Sequence, residues 1–306
     1  GDIWTKAHGH VFGFAMDPAN RTRGDVTPDE QQQVLETVWR KGGFQFLFET
    51  FDDLLVDEAS NEAAAEFVRA RIKEIVKDPV TAELLCPKGY PLGAKRPPLG
   101  HSYYEAYNRD NVELVDVSSN PIERITPRGV RTGTDEYEFD ILVFATGFDA
   151  STGTMMAMDI RGKNGQTIKE RWAGGPQTYL GLAVDGFPNM FMISGPQSPF
   201  ANIPVIIDNA ARWIGRAITD IEERKLGALE PTAEAVEAWC KQMDVYVDAT
   251  LLSRGEDVNS WFLGANVPGK PHVVLFYFGG ANAYFNDIHG AADRDYEGFV
   301  SSRRTA

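Results

Sequence analysis

The fold of this chain is decided by the stretch Asp140-Ile141-Leu142-Val143-Phe144-Ala145-Thr146-Gly147-Phe148-Asp149. Its first half is a continuous apolar run, a pattern typical of a strand that is buried on both faces of a parallel sheet. The run then changes to small residues. In open α/β sheets, ligands bind outside the carboxyl ends of the strands, where small residues admit a cofactor. The stretch therefore predicts a strand that leads to a dinucleotide, or an ordinary buried strand followed by a glycine turn.

Two later stretches repeat this pattern. The apolar run at residues 189–194 leads into the small-residue loop Gly195-Pro196-Gln197-Ser198-Pro199-Phe200, and a second run at residues 273–278 ends at Gly279-Gly280. We predict a buried strand at each run. Two shorter segments, Ile122 to Ile125 and Val130 to Thr132, flank a turn and predict a hairpin.

Helices are predicted before and between these runs. Thr27-Pro28-Asp29-Glu30 combines a capping box with proline at the first helical position and predicts the start of a helix. Gly42-Gly43 predicts the end of this helix. A second helix is predicted from a Ser60 cap to about Lys77, and a third from about Pro204 to Arg224. The buried stripe predicted for the third helix consists of Ile207, Ala211, Ile214, Ile218 and Ile221.

Composition narrows the function classes. The 306 residues have 43% hydrophobic content and a net charge of −14, which is unfavourable for binding nucleic acid. No apolar stretch is long enough for a membrane span, so no membrane partner is predicted. The two cysteines lie far apart in the sequence, which favours a reducing, cytoplasmic compartment. The five histidines form no ligand pattern, and no metal site is predicted.

Several nucleotide and catalytic motifs are not found in this sequence. It contains no G-x-G, and therefore neither a Rossmann fingerprint nor a Walker loop, and it contains no G-x-S-x-G, H-E-x-x-H or C-x-x-C. The chain also begins without methionine. We therefore expect a truncated or partly recorded chain.

The sequence nevertheless resembles Baeyer–Villiger monooxygenases of the cyclohexanone and phenylacetone type along essentially its whole length. The stretch Asp140 to Ala150 is similar to the ATG motif of flavin monooxygenases. The other motifs that carry the resemblance are Ala94-Lys95-Arg96-Pro97, Tyr103-Tyr104-x-x-Tyr107-Asn108-Arg109-Asp110-Asn111-Val112, Ile125-Thr126-Pro127-Arg128-Gly129-Val130-Arg131-Thr132, Tyr179-Leu180-Gly181, Gly195-Pro196-x-Ser198-Pro199 and Ser260-Trp261-x-x-Gly264-Ala265-Asn266-Val267-Pro268-Gly269-Lys270.

The resemblance implies an α/β fold, namely the C-terminal part of a flavoprotein with two dinucleotide-binding, Rossmann-like domains for FAD and NADPH. It implies a helical insertion of the NADPH domain at residues 1–91, the remainder of that domain at 92–144, and the C-terminal part of the FAD domain at 145–306. The activity it implies is oxygenation of a ketone to an ester or lactone with O2 and NADPH. The upstream half that holds the flavin glycine motif would lie in an earlier segment or a second chain.

Three residues receive roles from the resemblance. Arg96 is the expected catalytic residue, because a fixed guanidinium would stabilise the negatively charged oxygen of the reaction. Lys95 is similar to a contact with the 2′-phosphate of NADPH. Trp261 corresponds to a mobile loop that closes on NADP, where its indole suits a ribose or nicotinamide contact.

The remaining expected site residues surround the flavin and the ketone. The backbone at Asn202 and Ile203 is expected to face the flavin ring at the start of the long helix. Phe200, Ala201 and Ile203 would line the ketone pocket. Phe276 and Phe278 are expected opposite them, although an ordinary core position is equally open for these two. The stretch from Ala145 through Thr146 and Gly147 to Phe148 would form the crossing between the two cofactor domains.

Two alternative functions remain open at this point. One is a flavin monooxygenase that attacks nitrogen or sulfur, which we expect to lack the Trp261 motif. The other is a non-catalytic fragment that acts only with a partner supplying the missing half.

Overall fold

The computed structural model describes residues 2–303, apart from the side chain of Asp257. The chain divides into two compact units. The first contains the chain up to Glu62, the loop Tyr90–Pro97 and the chain from Asp149 onward. The second contains Ala63–Gly89 and Pro98–Phe148. The three-part division expected from the resemblance stays a prediction.

The first unit is built mainly from helices around a large aromatic core. The helices that lie wholly within it are α1 (Asp2–Gly9), α2 (Pro28–Lys41), α3 (Gln45–Phe48), α7 (Gly153–Ala157), α8 (Ile168–Arg171), α9 (Ile203–Glu223), α10 (Ala233–Asp248) and α11 (Ala281–Asp293). A two-stranded antiparallel sheet joins β4 (Leu226–Pro231) to β5 (Phe299–Arg303). Trp213, Tyr277 and Tyr284 are almost fully buried in the core that these elements enclose.

The predicted capping box at Thr27 is confirmed. The Glu30 carboxylate accepts a hydrogen bond from the Thr27 N–H at 2.8 Å, and the Glu30 N–H donates to the Thr27 hydroxyl at 3.4 Å. The helix ends at Lys41, where Gly42 adopts a φ of +74°. The second predicted cap was wrong: α4 (Glu58–Ile75) begins before Ser60, because the Asp57 carboxylate accepts the Ser60 N–H at 2.7 Å.

The long helix α9 lies where the sequence predicted it, but its buried stripe was wrong. Val205, Ile206, Trp213 and Ala217 are among its buried residues. Ile207, Ala211 and Ile218 are exposed, whereas Ile214 and Ile221 are half-buried against the core. Apolar residues occur on both faces of α9, so periodicity alone did not identify the buried one. None of the helices in residues 2–303 is both long and apolar enough to span a lipid bilayer.

The two runs predicted as strands in the first unit are not regular strands. Residues 189–194 are irregular, and Asn189 and Ser194 adopt positive φ angles that a strand does not allow. Residues 273–278 are irregular, with Val274, Leu275 and Tyr277 buried, and within residues 2–303 they form one bridge of β type, between Tyr277 and Pro199. Single hydrogen bonds to neighbouring loops replace a regular ladder.

The second unit combines a small helical core with a hairpin. Its helices are the rest of α4, α5 (Pro79–Leu85) and α6 (Tyr103–Ala106). Ile72, Val76, Ala82 and Cys86 form its buried apolar cluster. The predicted hairpin is confirmed by the antiparallel pairing of β1 (Ile122–Thr126) with β2 (Gly129–Thr132), and β3 (Glu136–Glu138) pairs with β2.

The strand predicted at residues 140–144 is not formed in the described structure. Ile141, Val143 and Phe144 are exposed by 81%, 77% and 68%, so both faces of the run are open. Among residues 2–303, no segment pairs with it, and residues 140–147 form no backbone hydrogen bond. An extended segment becomes a strand only when neighbouring backbone groups accept and donate its hydrogen bonds.

Candidate active site

An aromatic cavity of about 170 Å³ lies within the first unit. Its walls are almost entirely apolar, and Arg96 is the charged residue that lines it. The lining residues are Phe12, Phe14, Phe44, Leu47, Phe48, Leu55, Gly93, Arg96, Pro97, Pro199, Phe200, Ala201, Ile203, Leu252, Trp261 and Phe276. Six of the residues predicted from the sequence are therefore brought together: Arg96, Phe200, Ala201, Ile203, Trp261 and Phe276.

One wall is built from stacked phenylalanines near the start of the chain. Phe12 stacks on Phe48, with ring centroids 4.0 Å apart and an interplanar angle of 17°. Phe14 and Phe44 contact the same Phe48 ring, each at 5.9 Å. From the sequence we expect Phe44 and Phe48 to pack in a helical core, and Phe12 and Phe14 have no predicted role. The dense run of phenylalanines from residue 44 to 51 was the available signal.

The opposite wall is built by the loop that follows the irregular run 189–194. Three backbone hydrogen bonds join this loop to the segment 273–278: Gln197 N–H to Leu275 O at 2.8 Å, Tyr277 N–H to Ser198 O at 2.9 Å, and Phe200 N–H to Tyr277 O at 3.1 Å. Gly181 adopts a φ of +63°, and a Cβ there would lie 2.7 Å from Ser198 N. The motifs around Gly181 and Ser198 are therefore in direct backbone contact, which their sequence separation did not predict.

Phe200 is the centre of this wall. Its ring contacts Phe262 at 4.5 Å, Phe276 at 5.8 Å and Phe278 at 5.9 Å between centroids. Phe276 lines the cavity, whereas Phe278 packs behind Phe200 and is not among the lining residues. Of the two phenylalanines for which the sequence allowed either a pocket or a core position, Phe276 thus lines the cavity and Phe278 packs against the core behind Phe200.

Arg96 lies in a loop that the rest of the first unit fixes. The Asn61 side chain accepts the Leu92 N–H at 2.8 Å and donates to Leu92 O at 2.9 Å. The next anchor is Ala94, which is fully buried. Gly93, with a φ of +96°, allows Leu55 to approach, because a Cβ there would lie 2.9 Å from the Leu55 side chain. Asn61 has no signature in the sequence that would have revealed this role.

The Arg96 guanidinium lies over the Phe44 ring, 5.2 Å from its centroid. Within residues 2–303 it has no carboxylate at ion-pair distance, and it is exposed to solvent. A cation–π contact of this kind orients a guanidinium without neutralising its charge. Lys95, next in the chain, extends over the Tyr90 ring, 5.8 Å from its centroid, and does not line the cavity.

Trp261 is half-buried and packs edge-on against Phe276, with centroids 5.1 Å apart and an interplanar angle of 90°. It begins a short 3₁₀ turn, Trp261–Leu263, whose first residues are held by the Ser260 hydroxyl, which accepts the Phe262 N–H at 3.4 Å. The C-terminal end of this motif is held in place by Lys270. Its ammonium group pairs with Asp149 and donates to Ala150 O at 2.9 Å.

The first turn of α9 reaches the cavity through Ile203. The preceding Asn202 donates from its backbone to Phe12 O at 2.9 Å and from its side chain to Gly13 O at 3.0 Å. These bonds connect the start of α9 to the phenylalanine wall. Asn202 itself makes no side-chain cap, so its amide is used to hold the neighbouring loop.

His10 is the titratable side chain packed behind the phenylalanine wall. Its ring lies 6.3 Å from both Phe12 and Phe48, and its Nδ1 accepts the Phe12 N–H at 3.1 Å. Burial lowers the pKa of His10, an effect that the Glu49 carboxylate opposes. The neutral ring is therefore the form that fits this wall.

Ala145, Thr146 and Gly147 belong to the second unit, where they are exposed in an irregular segment. In the described part of the chain, no cluster of three or more His, Cys, Asp or Glu side chains is arranged to hold a metal ion.

The chain is similar in sequence to known monooxygenases. The chain is 42% identical over 304 residues to a Baeyer–Villiger monooxygenase of Pseudooceanicola batsensis, covering 99% of this chain and 55% of that protein. It is 43% identical over 303 residues to a phenazine N-monooxygenase of Lysobacter antibioticus, covering 97% of this chain and 54% of that protein. No family model matches the chain.

Solved structures give the same result. The fold superposes with a TM-score of 0.94 on cyclohexanone monooxygenase from Rhodococcus sp. Phi1 bound to NADP+, at 42% identity, covering 99% of this chain and 56% of that one. The resemblance to Baeyer–Villiger monooxygenases is confirmed. The predicted fold class, the C-terminal part of such a flavoprotein, is confirmed as well. The chain spans about half the length of the relatives it matches.

Proposed function

We propose that the complete protein to which this chain belongs is an FAD- and NADPH-dependent monooxygenase that converts a ketone to an ester or lactone. The observation that carries the proposal is Arg96, which has no carboxylate partner among residues 2–303 and lies at the edge of an aromatic cavity, in a chain similar throughout to Baeyer–Villiger monooxygenases. One oxygen atom of O2 enters the product, and the other leaves as water.

The cavity suits a small cyclic ketone. Its volume of about 170 Å³ is close to that of engineered apolar cavities of about 150 Å³, which bind benzene. Aromatic walls bury the hydrocarbon ring, and a single polar group then orients the carbonyl. Phe200, Ala201, Ile203 and Phe276 are the proposed ketone contacts, with Phe278 supporting Phe200 from behind.

The groups available at the cavity also fit the cofactors. The proposed flavin ring lies at Asn202 and Ile203. The positive charge of the Arg96 guanidinium and the N-terminal end of the 21-residue helix α9 would both stabilise negative charge on that ring. Trp261 is the proposed NADP contact in the same unit, and Lys95 the proposed contact for the 2′-phosphate. When bound, the two cofactors supply the reducing electrons with which O2 is activated.

Arg96 has the chemical role in this proposal. It donates hydrogen bonds to oxygen as negative charge develops there, and it stays protonated throughout because its guanidinium is always charged at neutral pH. The phenylalanine walls give the ketone an apolar surface, whereas Arg96 itself lies at the exposed edge of the cavity. The cation–π contact with Phe44 keeps the guanidinium at the cavity edge.

The proposal includes the part of the protein that this chain does not contain. We propose that a further segment, or a second chain, carries the flavin glycine motif and covers the exposed run at residues 140–148. Ala145, Thr146 and Gly147 would then form the crossing between the two cofactor domains. The domain boundaries at residues 91 and 144 and the cytoplasmic location remain part of this proposal.

The test uses the complete polypeptide that carries this chain. Ester formation from cyclohexanone is measured with the wild type, Arg96→Ala and Arg96→Lys. We expect Arg96→Ala to lose about 10²- to 10³-fold in ester formation while flavin content is unchanged. Arg96→Lys retains the charge and should keep part of the activity. Undiminished oxygenation by Arg96→Ala would overturn the assignment.

A second candidate is N-oxygenation of an aromatic heterocycle. It is favoured by the phenazine N-monooxygenase, which matches this chain as well as the Baeyer–Villiger relative does. Supplying a phenazine and cyclohexanone in parallel distinguishes the two functions by product. A flavin absorption spectrum of the 306-residue chain alone tests the fragment alternative, because bound flavin would show that this chain needs no partner to hold the cofactor.

A further inference from the structure

Gln197 occupies an unusual position beside the cavity. It is 3% exposed, and it adopts a φ of +66°, in the left-handed region that residues other than glycine rarely occupy. Strain of this kind persists only where the surroundings hold the residue in place, and it concentrates at functional sites. Pro199 and Phe200, which line the cavity, follow two and three residues later.

The Gln197 carboxamide is held by three neighbouring groups. Its Oε1 accepts from the Thr178 N–H at 3.0 Å and from the Thr178 hydroxyl at 2.8 Å. Its Nε2 donates to Cys240 Sγ at 3.4 Å. Because the Thr178 N–H can only donate, the orientation of the carboxamide is determined. Thr178 is itself fully buried, and its hydroxyl also lies 3.1 Å from Pro196 O.

The backbone of Gln197 is anchored separately. Its N–H donates to Leu275 O at 2.8 Å, next to the two bonds that join Ser198 and Phe200 to Tyr277. The side chain and the backbone therefore connect one turn to α10, to the Thr178 segment and to the run behind Phe276. A glycine would adopt the same φ without strain, but it would supply none of the side-chain bonds.

We propose that Gln197 is a positioning residue that determines substrate specificity. Its carboxamide, locked by Thr178, fixes the turn that presents Pro199 and Phe200 to the cavity and so sets the ring size of ketone that fits. This inference rests on the proposed ketone oxygenation. It assigns Gln197 no contact with substrate.

The test compares Gln197→Gly with Asn164→Gly in the complete flavin-loaded protein. Asn164 is a matched control, because it also has a positive φ, +57°, but lies exposed and away from the cavity lining. The KM and kcat are measured for cyclopentanone, cyclohexanone and cyclooctanone. Amide hydrogen exchange at Phe200 is measured on the same samples without substrate.

We expect Gln197→Gly to raise KM for the best ketone about 10-fold, to change the order of preference among the three rings and to leave kcat within about 3-fold. Phe200 amide exchange should accelerate at least 10-fold, since the bond to Tyr277 O loses its support. Asn164→Gly should change none of these quantities. A uniform loss of kcat with an unchanged order of ketones would overturn the proposal, because it would indicate a general structural role.

Thr178 provides a second pair of variants if Gln197→Gly fails to fold. Thr178→Ser retains the hydroxyl and should behave as wild type, whereas Thr178→Val removes it and should show the same ketone shift in weaker form. Equal profiles for the two variants would overturn the proposal. If no variant and no wild type oxygenates a ketone, the proposed function fails, and faster Phe200 exchange in Gln197→Gly still decides whether the carboxamide fixes the turn.

Discussion

Two apolar runs, residues 141–144 in one compact unit and 273–278 in the other, are each followed by small residues, but only the second is buried. Leu275 is fully buried, and backbone hydrogen bonds reach it from both sides: its N–H donates to Phe262 O at 2.9 Å, and its carbonyl accepts the Gln197 N–H. Val143 is 77% exposed, with no backbone partner in the described part of the chain.

The difference shows that an apolar run becomes part of a core only when other segments form hydrogen bonds with its backbone N–H and C=O groups. Both runs have the hydrophobicity for burial, but a buried peptide group without a hydrogen bond costs more than the apolar contact returns. The loop at Gln197 and the turn at Phe262 supply partners for residues 273–278. The ion pair of Asp149 with Lys270 lies within the first unit and gives residues 141–144 no partner.

The largest expected effect is on stability at the buried run. Leu275→Ala should lower the free energy of unfolding by about 2–5 kcal/mol, because it leaves a cavity in the core. Val143→Ala in the 306-residue chain should change it by less than about 0.5 kcal/mol. Urea unfolding followed by circular dichroism and tryptophan fluorescence measures both.

The Val143→Ala variant can also be measured in the complete protein, where it tests whether residues 140–148 are covered. If a further segment covers residues 140–148, Val143→Ala should there cost about 1–2 kcal/mol, the transfer free energy of the two lost methyl groups. A cost that stays near zero in the complete protein would contradict the proposed cover of this run.

A smaller effect is expected at the ion pair between Lys270 and Asp149 in the first unit. The Lys270 side chain is only 9% exposed, and Lys270→Met would leave the Asp149 carboxylate and the Ala150 carbonyl without their donor. We expect a loss of about 1–2 kcal/mol, less than for a fully buried pair because Asp149 is partly solvated. Lys241→Met, which breaks an exposed pair with Glu237 on α10, is the control and should have no measurable effect. Equal behaviour of the two variants would show that the Lys270 pair contributes nothing.

The smallest effect concerns the cavity wall. Because burial lowers the pKa of His10 in the folded protein, the unfolded chain takes up a proton first as pH falls. Stability should therefore fall as the pH drops below the ordinary histidine value of about 6.5, and protonation would also compete with the Phe12 bond at Nδ1. Lys6 acts in the same direction, whereas Glu49 and Asp17 oppose it. His10→Asn should flatten the pH dependence of the melting temperature between about pH 7.5 and pH 5.5. An unchanged slope would exclude His10 as its source.

Local signals predicted α2, α9 and the hairpin. The Thr27 capping box, Pro28 and Gly42 specify where α2 begins and ends, because capping bonds and glycine conformations depend on residues within one turn of each other. The strand predictions failed for the opposite reason. Strands depend on partners that are distant in sequence, and neither Asn189 to Ser194 nor Ile141 to Phe144 carries information about whether such a partner is present.

The candidate site was predictable only in part. Arg96, Phe200 and Trp261 were identified because they stand in motifs that resemble a known family, and the structure places all three at one cavity. Phe12 and Phe48 were missed as cavity residues, since a phenylalanine in a wall and a phenylalanine in a core have the same local pattern. Asn61 and Gln197 were missed because their roles consist of hydrogen bonds to distant backbone groups.

The sequence by itself determined the bounds of α2, the location of α9, the hairpin, the family resemblance and the residue types available for chemistry. These depend on local hydrogen bonding, on periodicity and on motifs that stand in order along the chain. Only the tertiary structure decided which face of α9 is buried, which apolar run has partners, and that a strained glutamine holds the turn before Phe200. These depend on the backbone and side-chain groups that folding brings into contact. The local sequence does not predict such contacts, because the partners are distant along the chain.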